Sequence, residues 1–184
     1  MMALPNPIEG HNIRFRLVRP DDAVYIQGLR TSPEHGRHLS APSPSFEAQR
    51  AWIEAYKARE AIGREYYFII ERRDDGARCG VLRLYDIAEG RFTWGSWILD
   101  ANKPSKAALD SALLIYRIAF GTLGCTEAIF DVRTENTRTL AFHRRFGAVE
   151  TGSDEINTYF KLDCDDFANR APSLDKVFLL LDKD

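Results

Sequence analysis

Residues 100–121 read DANKPSKAALDSALLIYRIAFG. The second half has helical spacing: Leu109, Ala112, Leu113, Tyr116 and Phe120 fall on one face, and Gly121 suits its end. The first half sets two lysines, a proline and a serine ahead of that helix. A helix start leaves its first N–H groups unpaired and carries about half a positive charge. Lys103 and Lys106 add cations where the helix itself disfavours them, and an anion held by the turn would relieve the cost. Pro104 and Ser105 can fix and cap the turn. Two lysines in a solvated loop would read the same way, so the stretch takes its meaning from its neighbours.

Upstream lie three runs that read as a meander of hairpins. They are EYYFIIER (65–72), CGVLRLYD (79–86) and RFTWGSWIL (91–99), joined by an Asp-Gly turn and by IAEG (87–90). Downstream, EAIFDVR (127–133) is a strand. NTRTLAFHRRFG (136–147) is a short helix, with Asn136 as N-cap and Gly147 just past its end. AVET (148–151) and NTYFKL (157–162) are two closing strands.

At the N-terminal side, NIRFRLV (12–18) alternates as a half-buried strand. A short helix opens at Pro20, a loop rich in Pro, Gly and Ser covers 33–45, and a helix follows from Ser45. Ala48, Trp52, Ala55 and Tyr56 are expected on its inner face. APSLDKVFLLLDKD (171–184) reads as a tail with an apolar patch. The order β-α-α-β-β-β-α-β-α-β-β predicts an α/β (α+β) fold: a single mixed, mostly antiparallel sheet flanked by helices. One domain is expected over 1–184, with its core at about 13–162 and a tail at 163–184.

Composition bounds the partners. The chain has 184 residues, with 25 Lys+Arg against 27 Asp+Glu and a net charge of -2. That balance argues against a general nucleic-acid binder, so any basic site is local. Cys79, Cys125 and Cys164 are widely spaced and form no metal-binding motif, so no metal is expected. The N-terminus shows no basic-then-apolar leader, and no apolar run approaches the ~20 residues that span a bilayer. The expectation is a cytoplasmic protein with no membrane partner; exposed aromatics and the apolar tail point to a homodimer.

The segments WGSWIL, KPSKAA and NTRTLAFHRRFGA, in that order, resemble the GNAT superfamily of acyl-CoA N-acyltransferases from about Ile13 to Leu162. In the family's helix pattern Asn136 matches the Asn, Thr139 the small residue, His143 the tyrosine position, Gly147 the Gly and Ala148 the aromatic. The phosphate loop, R/Q-x-x-G-x-G/A in the family, is matched by Lys103, Lys106 and Ala108, with a lysine where a glycine is usual. The resemblance implies acetyl-CoA as co-substrate. Its pyrophosphate would rest on Lys103, Ser105, Lys106, Ala107 and Ala108. Its pantetheine arm would pair with the backbone of Trp97, Ile98 and Leu99 and bond to Asn136.

Acetyl transfer needs a neutral amine, and a free alkylamine has a pKa near ~10.4, so a proton acceptor is required. It also needs a donor for the thioester oxygen and a proton or hydrogen bond for the leaving thiolate. His143, by its matched position, is a general acid or a donor to the sulfur; an outward, solvated place beside Arg144 and Arg145 is equally compatible. Asp86 and Asp131 are carboxylates that could act through water, Ser96 could order that water, and Glu71 is a weaker choice. His35 and His38 lie in the loop that lines the acceptor side in the family.

Among Tyr66, Tyr67, Phe68, Tyr85, Trp94 and Trp97, alternate members belong to the core and the others could floor a sugar pocket. The first two helices and their loop resemble enzymes that acetylate amino sugars on nucleotide carriers, and also those that acetylate ribosomal-protein N-termini. The expected activity is therefore transfer to a primary amine on a nucleotide-linked sugar, with a protein N-terminal amine as one alternative. A non-catalytic acyl-CoA-binding module is another. Arg14, Arg16, Arg30, Arg37 and Arg83 are the cations that could meet a nucleotide's phosphates.

Overall fold

The computed structural model describes residues 4–179. Its strands are β1 (Ile8–Glu9), β2 (Ile13–Leu17), β3 (Tyr66–Arg72), β4 (Arg78–Ala88), β5 (Arg91–Leu99), β6 (Glu127–Arg133), β7 (Val149–Ser153) and β8 (Asn157–Asp163). The helices are α1 (Ala23–Thr31), α2 (Phe46–Ala61), α3 (Ala107–Tyr116), α4 (Thr137–Phe146) and α5 (Cys164–Leu179). Among the described residues these eight strands form one sheet in the order β1-β2-β3-β4-β5-β6-β8-β7. Every neighbouring pair is antiparallel except β5 and β6, which the α3 crossover makes parallel.

Strand β3 shows why the sheet needs cover on both sides. Tyr66, Phe68 and Ile70 face the core that α3 and α5 close, whereas Tyr67 and Ile69 face the core under α1 and α2. A strand buried on both faces reads as a continuous apolar run, which is what 66–70 is.

Several details differ from the sequence reading. Strand β4 runs on to Ala88, so the expected turn over 87–90 shrinks to Glu89 and Gly90, both at positive φ. Helix α3 passes through Gly121 in a π-helical stretch (Arg117–Thr122), and the chain leaves at Gly124, where φ is +69°. The inner face of α2 is Gln49, Ile53 and Tyr56, with Trp52 half-buried and Ala55 exposed.

Within the expected tail, 180–184 lie outside the described residues and Cys164–Leu179 form helix α5, which buries Phe167, Ala171 and Phe178. Pro172 sits inside it on an exposed face. Of the aromatic residues singled out in the meander, Tyr66, Tyr67, Phe68 and Trp94 are buried within the chain, as is Phe178 of α5. No helix among the described residues is long and apolar enough to cross a membrane.

Candidate active site

Strands β5 and β6 are paired only at Arg91–Glu127 and Phe92–Ala128. Past that point β5 stays on β4 and β6 stays on β8, so the two diverge and the sheet opens as a wedge. The β5 edge that faces the wedge therefore carries backbone groups without a strand partner. Between Val81–Ile98 and Arg83–Gly95 the β4–β5 register shifts, so Ser96 and Trp97 stand opposite Leu82 alone. Ser96 takes up the extra residue at φ +47°. Gly80 secures this end of β5: a Cβ there would lie 2.2 Å from the Ile98 carbonyl oxygen, so only glycine allows the approach.

The wedge holds a cavity of about 440 Å³. Its β5 wall is Trp94 to Leu99 and its β6 wall is Phe130 to Arg133. Asn136, Thr139 and His143 of α4 close one side, and Glu34, His35, His38, Leu39 and Ser40 reach it from the α1–α2 loop.

His143 is buried, not on a solvated face. The ring centroids of Phe130, Trp94, Phe142 and Phe160 lie 4.6, 5.3, 5.5 and 5.8 Å from its own. Burial among apolar rings pushes its pKa down to about 3, so the imidazole is neutral across the physiological range. That corrects the expectation of a general acid titrating near neutrality; a neutral ring still offers one N–H and one acceptor. Its Nδ1 is buried without a hydrogen-bond partner, and so is the indole N–H of Trp97. Two orphaned polar atoms from residues that line one cavity are the mark of a binding site, because a purely structural core would satisfy or exclude them. The Trp94 indole N–H, by contrast, donates to the Tyr116 hydroxyl at 3.0 Å.

Asn136 caps α4: its side-chain oxygen accepts from the Thr139 N–H at 3.2 Å, which leaves its amide NH₂ for the cavity. Among the carboxylates, Asp131 and Glu34 border the cavity, whereas Asp86 lies exposed on β4 outside it, at φ +51°. Glu71 is bound to Arg14 (2.8 Å) and Arg16 (2.6 Å), and Arg16 also pairs with Asp22 (2.7 Å). These groups hold β2 to β3 and to the loop before α1, which removes Glu71, Arg14 and Arg16 from the list of free groups.

The turn before α3 is set apart from the cavity. Lys103 and Ser105 are exposed, Ala108 is half-buried and Ala107 is buried. Lys106 occupies left-handed backbone at φ +61°, where glycine is favoured. It is the position at which a lysine stands for a glycine in the family pattern, and the strain was readable from that glycine. Its Nζ donates to the Val177 carbonyl at 2.7 Å and lies 5.9 Å from the Phe178 ring centroid, so this cation is turned toward α5. The α-helical ladder of α3 starts with the Asp110 N–H donating to the Lys106 carbonyl at 3.0 Å. Ahead of it the Ala107 N–H donates to the Pro104 carbonyl at 3.3 Å, and no side chain caps the remaining amides. Among the described residues no group of three or more His, Cys, Asp or Glu is placed to hold a metal ion.

A wedge between parallel strands, a bulged strand edge inside it and an uncapped helix start beyond it define an acyltransferase of the GNAT type. The GNAT acetyltransferase domain model matches residues 12–149, and the chain belongs to that family. A structure described as apo FdhC, a nucleotide-linked sugar GNAT, is 35% identical with a TM-score of 0.85, over 92% of this chain and 97% of that one. A candidate ribosomal-protein-serine acetyltransferase from Vibrio cholerae shares the fold at 18% identity and a TM-score of 0.73, over 88% and 99% of the two chains. The spermidine/spermine N-acetyltransferase SpeG, also from Vibrio cholerae, does so at 17% and 0.71, over 87% and 98%. No curated protein matches the sequence at a significant level.

Proposed function

We propose that this enzyme acetylates the amino group of a nucleotide-linked sugar, with acetyl-CoA as donor. The opening of β5 from β6 beside two orphaned polar atoms, Trp97 Nε1 and His143 Nδ1, carries the reading. The likeness to a nucleotide-linked sugar GNAT over nearly the whole chain supports the acceptor. GNAT enzymes generally draw on acetyl-CoA, which when bound supplies an activated acyl carbon and a thiolate leaving group.

The residues here fit that donor. The β5 edge at Trp97–Leu99 offers unpaired backbone groups to an extended amide-bearing arm, and the Asn136 NH₂ offers a further donor. The uncapped amides of Ser105, Lys106 and Ala108, with Lys103 exposed beside them, suit a pyrophosphate. The bulge at Ser96 turns backbone out of the β4 ladder, and an N–H there can hold the charge that builds on the thioester oxygen.

His143, being neutral, serves as hydrogen-bond donor toward the sulfur and not as a proton store. Asp131 and Glu34 border the acceptor space and can take the amine proton through water while the new C–N bond forms and the C–S bond breaks.

Acetyl-CoA with a panel of amines, followed by thiol release, tests the reading. Turnover is expected with nucleotide-linked amino sugars and to a far smaller extent with free amino sugars, polyamines or peptide N-termini. Preference for a peptide or polyamine, or no release with any amine, would overturn it.

A further inference from the structure

A second cavity, of about 210 Å³, is walled by Arg30, Ser40, Gln49, Trp52, Tyr67 and Arg83. Ser40 borders the main cleft as well, so the two spaces adjoin through the α1–α2 loop. Tyr67 is 1% exposed, and its hydroxyl has no partner of hydrogen-bond geometry, although the Arg30 guanidinium stands close enough to pull its pKa down as a donor would. Leaving a buried hydroxyl unpaired is costly, so its retention marks a place for a ligand atom. Burial pushes the hydroxyl's pKa up, against the pull of the Arg30 and Arg83 charges, which keeps it a phenol that can donate.

Arg30 donates to the Ser40 carbonyl (3.1 Å) and hydroxyl (3.0 Å), and among the described residues it faces no carboxylate within ion-pair reach. Arg83 shares its charge with Glu65 (Nε to Oε1, 2.9 Å) and lies over the rings of Trp52 (4.9 Å) and Tyr85 (4.8 Å). Tyr85 borders the cleft, so the two walls meet through this stack as well. Of the acceptors on this wall, the Gln49 side-chain oxygen is already bound by the Ser43 hydroxyl at 3.3 Å and the Ser40 oxygens by Arg30. The cavity thus presents donors and positive charge, the chemistry that recognises phosphate oxygens. It is smaller than the ~300 Å³ at which whole-ligand sites begin, so it fits a charged group and not an entire nucleotide.

We infer that this cavity holds the diphosphate of a nucleoside diphosphate-linked acceptor, through Arg30, Arg83 and the Tyr67 hydroxyl, while the amino sugar lies in the cleft next door. The inference rests on the acceptor proposed above, and two separate measurements keep the two apart.

The first is calorimetric titration of the full chain with a nucleoside diphosphate in the presence of saturating CoA, which removes competition at the α3 turn. The wild type is expected to bind. Arg30→Met should weaken binding about tenfold or more, while CoA affinity stays unchanged. Tyr67→Phe should weaken it several-fold yet raise the melting temperature, because it deletes an unpaired buried hydroxyl; a merely structural tyrosine would not combine those two effects. Inorganic pyrophosphate should compete and a nucleoside without phosphate should not. Absence of nucleoside diphosphate binding in the wild type, or affinity unchanged in both variants, would overturn the inference.

The second is acetyl transfer to a nucleotide-linked amino sugar. Transfer with KM unmoved by Arg30→Met sinks the diphosphate site and leaves the activity standing. Binding lost in Arg30→Met without any transfer sinks the activity and leaves the site.

Discussion

Helix α4 starts at the cavity and helix α3 at a turn set apart from it, and they start in opposite ways. Helix α4 is sealed by its own cap, with the Asn136 oxygen on the Thr139 amide at 3.2 Å. Helix α3 has a left-handed lysine at the cap position and no side-chain bond to its amides. It does carry an acid in its first turn, Asp110, but that carboxylate faces away. It accepts the amides of His11 (2.9 Å), Asn12 (2.6 Å) and Ile13 (3.1 Å). A helix that withholds side-chain acceptors from its first turn keeps its positive end available to an external anion. A capped one lends its inner face instead, and α4 contributes a dry imidazole.

The largest effect should come from that imidazole. The folded pKa of His143 lies at about 3, below the ordinary value near 6.5, so the native state binds fewer protons than the unfolded chain. Its contribution is complete above about pH 6.5 and is lost as pH falls toward 3, on the order of 5 kcal/mol in all. Urea unfolding at a series of pH values should show this slope, and His143→Phe should flatten it. A variant with the wild-type slope would mean that α4 is not the dry partner.

Next comes Asp110→Ala, which leaves three amides without their acceptor. A loss of about 3 kcal/mol is expected by denaturant titration, given ~1–3 kcal/mol per unsatisfied buried donor. A loss below ~1 kcal/mol would mean that the carboxylate is free to cap α3 after all.

The charges at the α3 start sharpen the contrast further. Lys103→Glu should weaken CoA binding about tenfold at low ionic strength and less at high salt. Lys106→Gly should leave it unchanged, since that lysine is bound to α5 and its backbone already has the glycine geometry. Equal effects from both would place the Lys106 side chain on the anion. The smallest effect belongs to Asn136→Ala, about 1 kcal/mol of stability from the lost cap. CoA affinity should fall alongside if the NH₂ group also meets the pantetheine arm.

The helix starts, the meander and the order of elements were legible in the sequence because each rests on local signals: a period, a cap residue, an Asp-Gly turn. The wedge was legible only through the family resemblance, because where two parallel strands stop pairing depends on register, which no residue type announces. The bulge at Ser96 is hidden for the same reason. His143 could not be placed by its neighbours Arg144 and Arg145. Its spacing from Leu140 and Phe146, three residues each way, was the available clue to an inner face.

Asp86 was attractive as a strand-end carboxylate, but β4 continues past it and leaves it in solvent. Helix α5 was missed because its start, CDDFANRAPS, is polar and contains a proline. The recurrence of Phe167, Ala171, Leu174 and Phe178 carried the period all the same. Lys106 looked like a phosphate ligand by charge, whereas the glycine it replaces was the better guide to what its backbone does.

The tie from Lys106 to Val177 spans 71 positions of the chain. It is joined there by the stacking of His11 on Phe178, with ring centroids 4.2 Å apart. During synthesis, therefore, the strained bend at Lys106 emerges long before the helix that anchors it. Until translation has passed Phe178 that bend lacks its brace, so the turn is held by its own backbone alone while the intervening strands and helices are made.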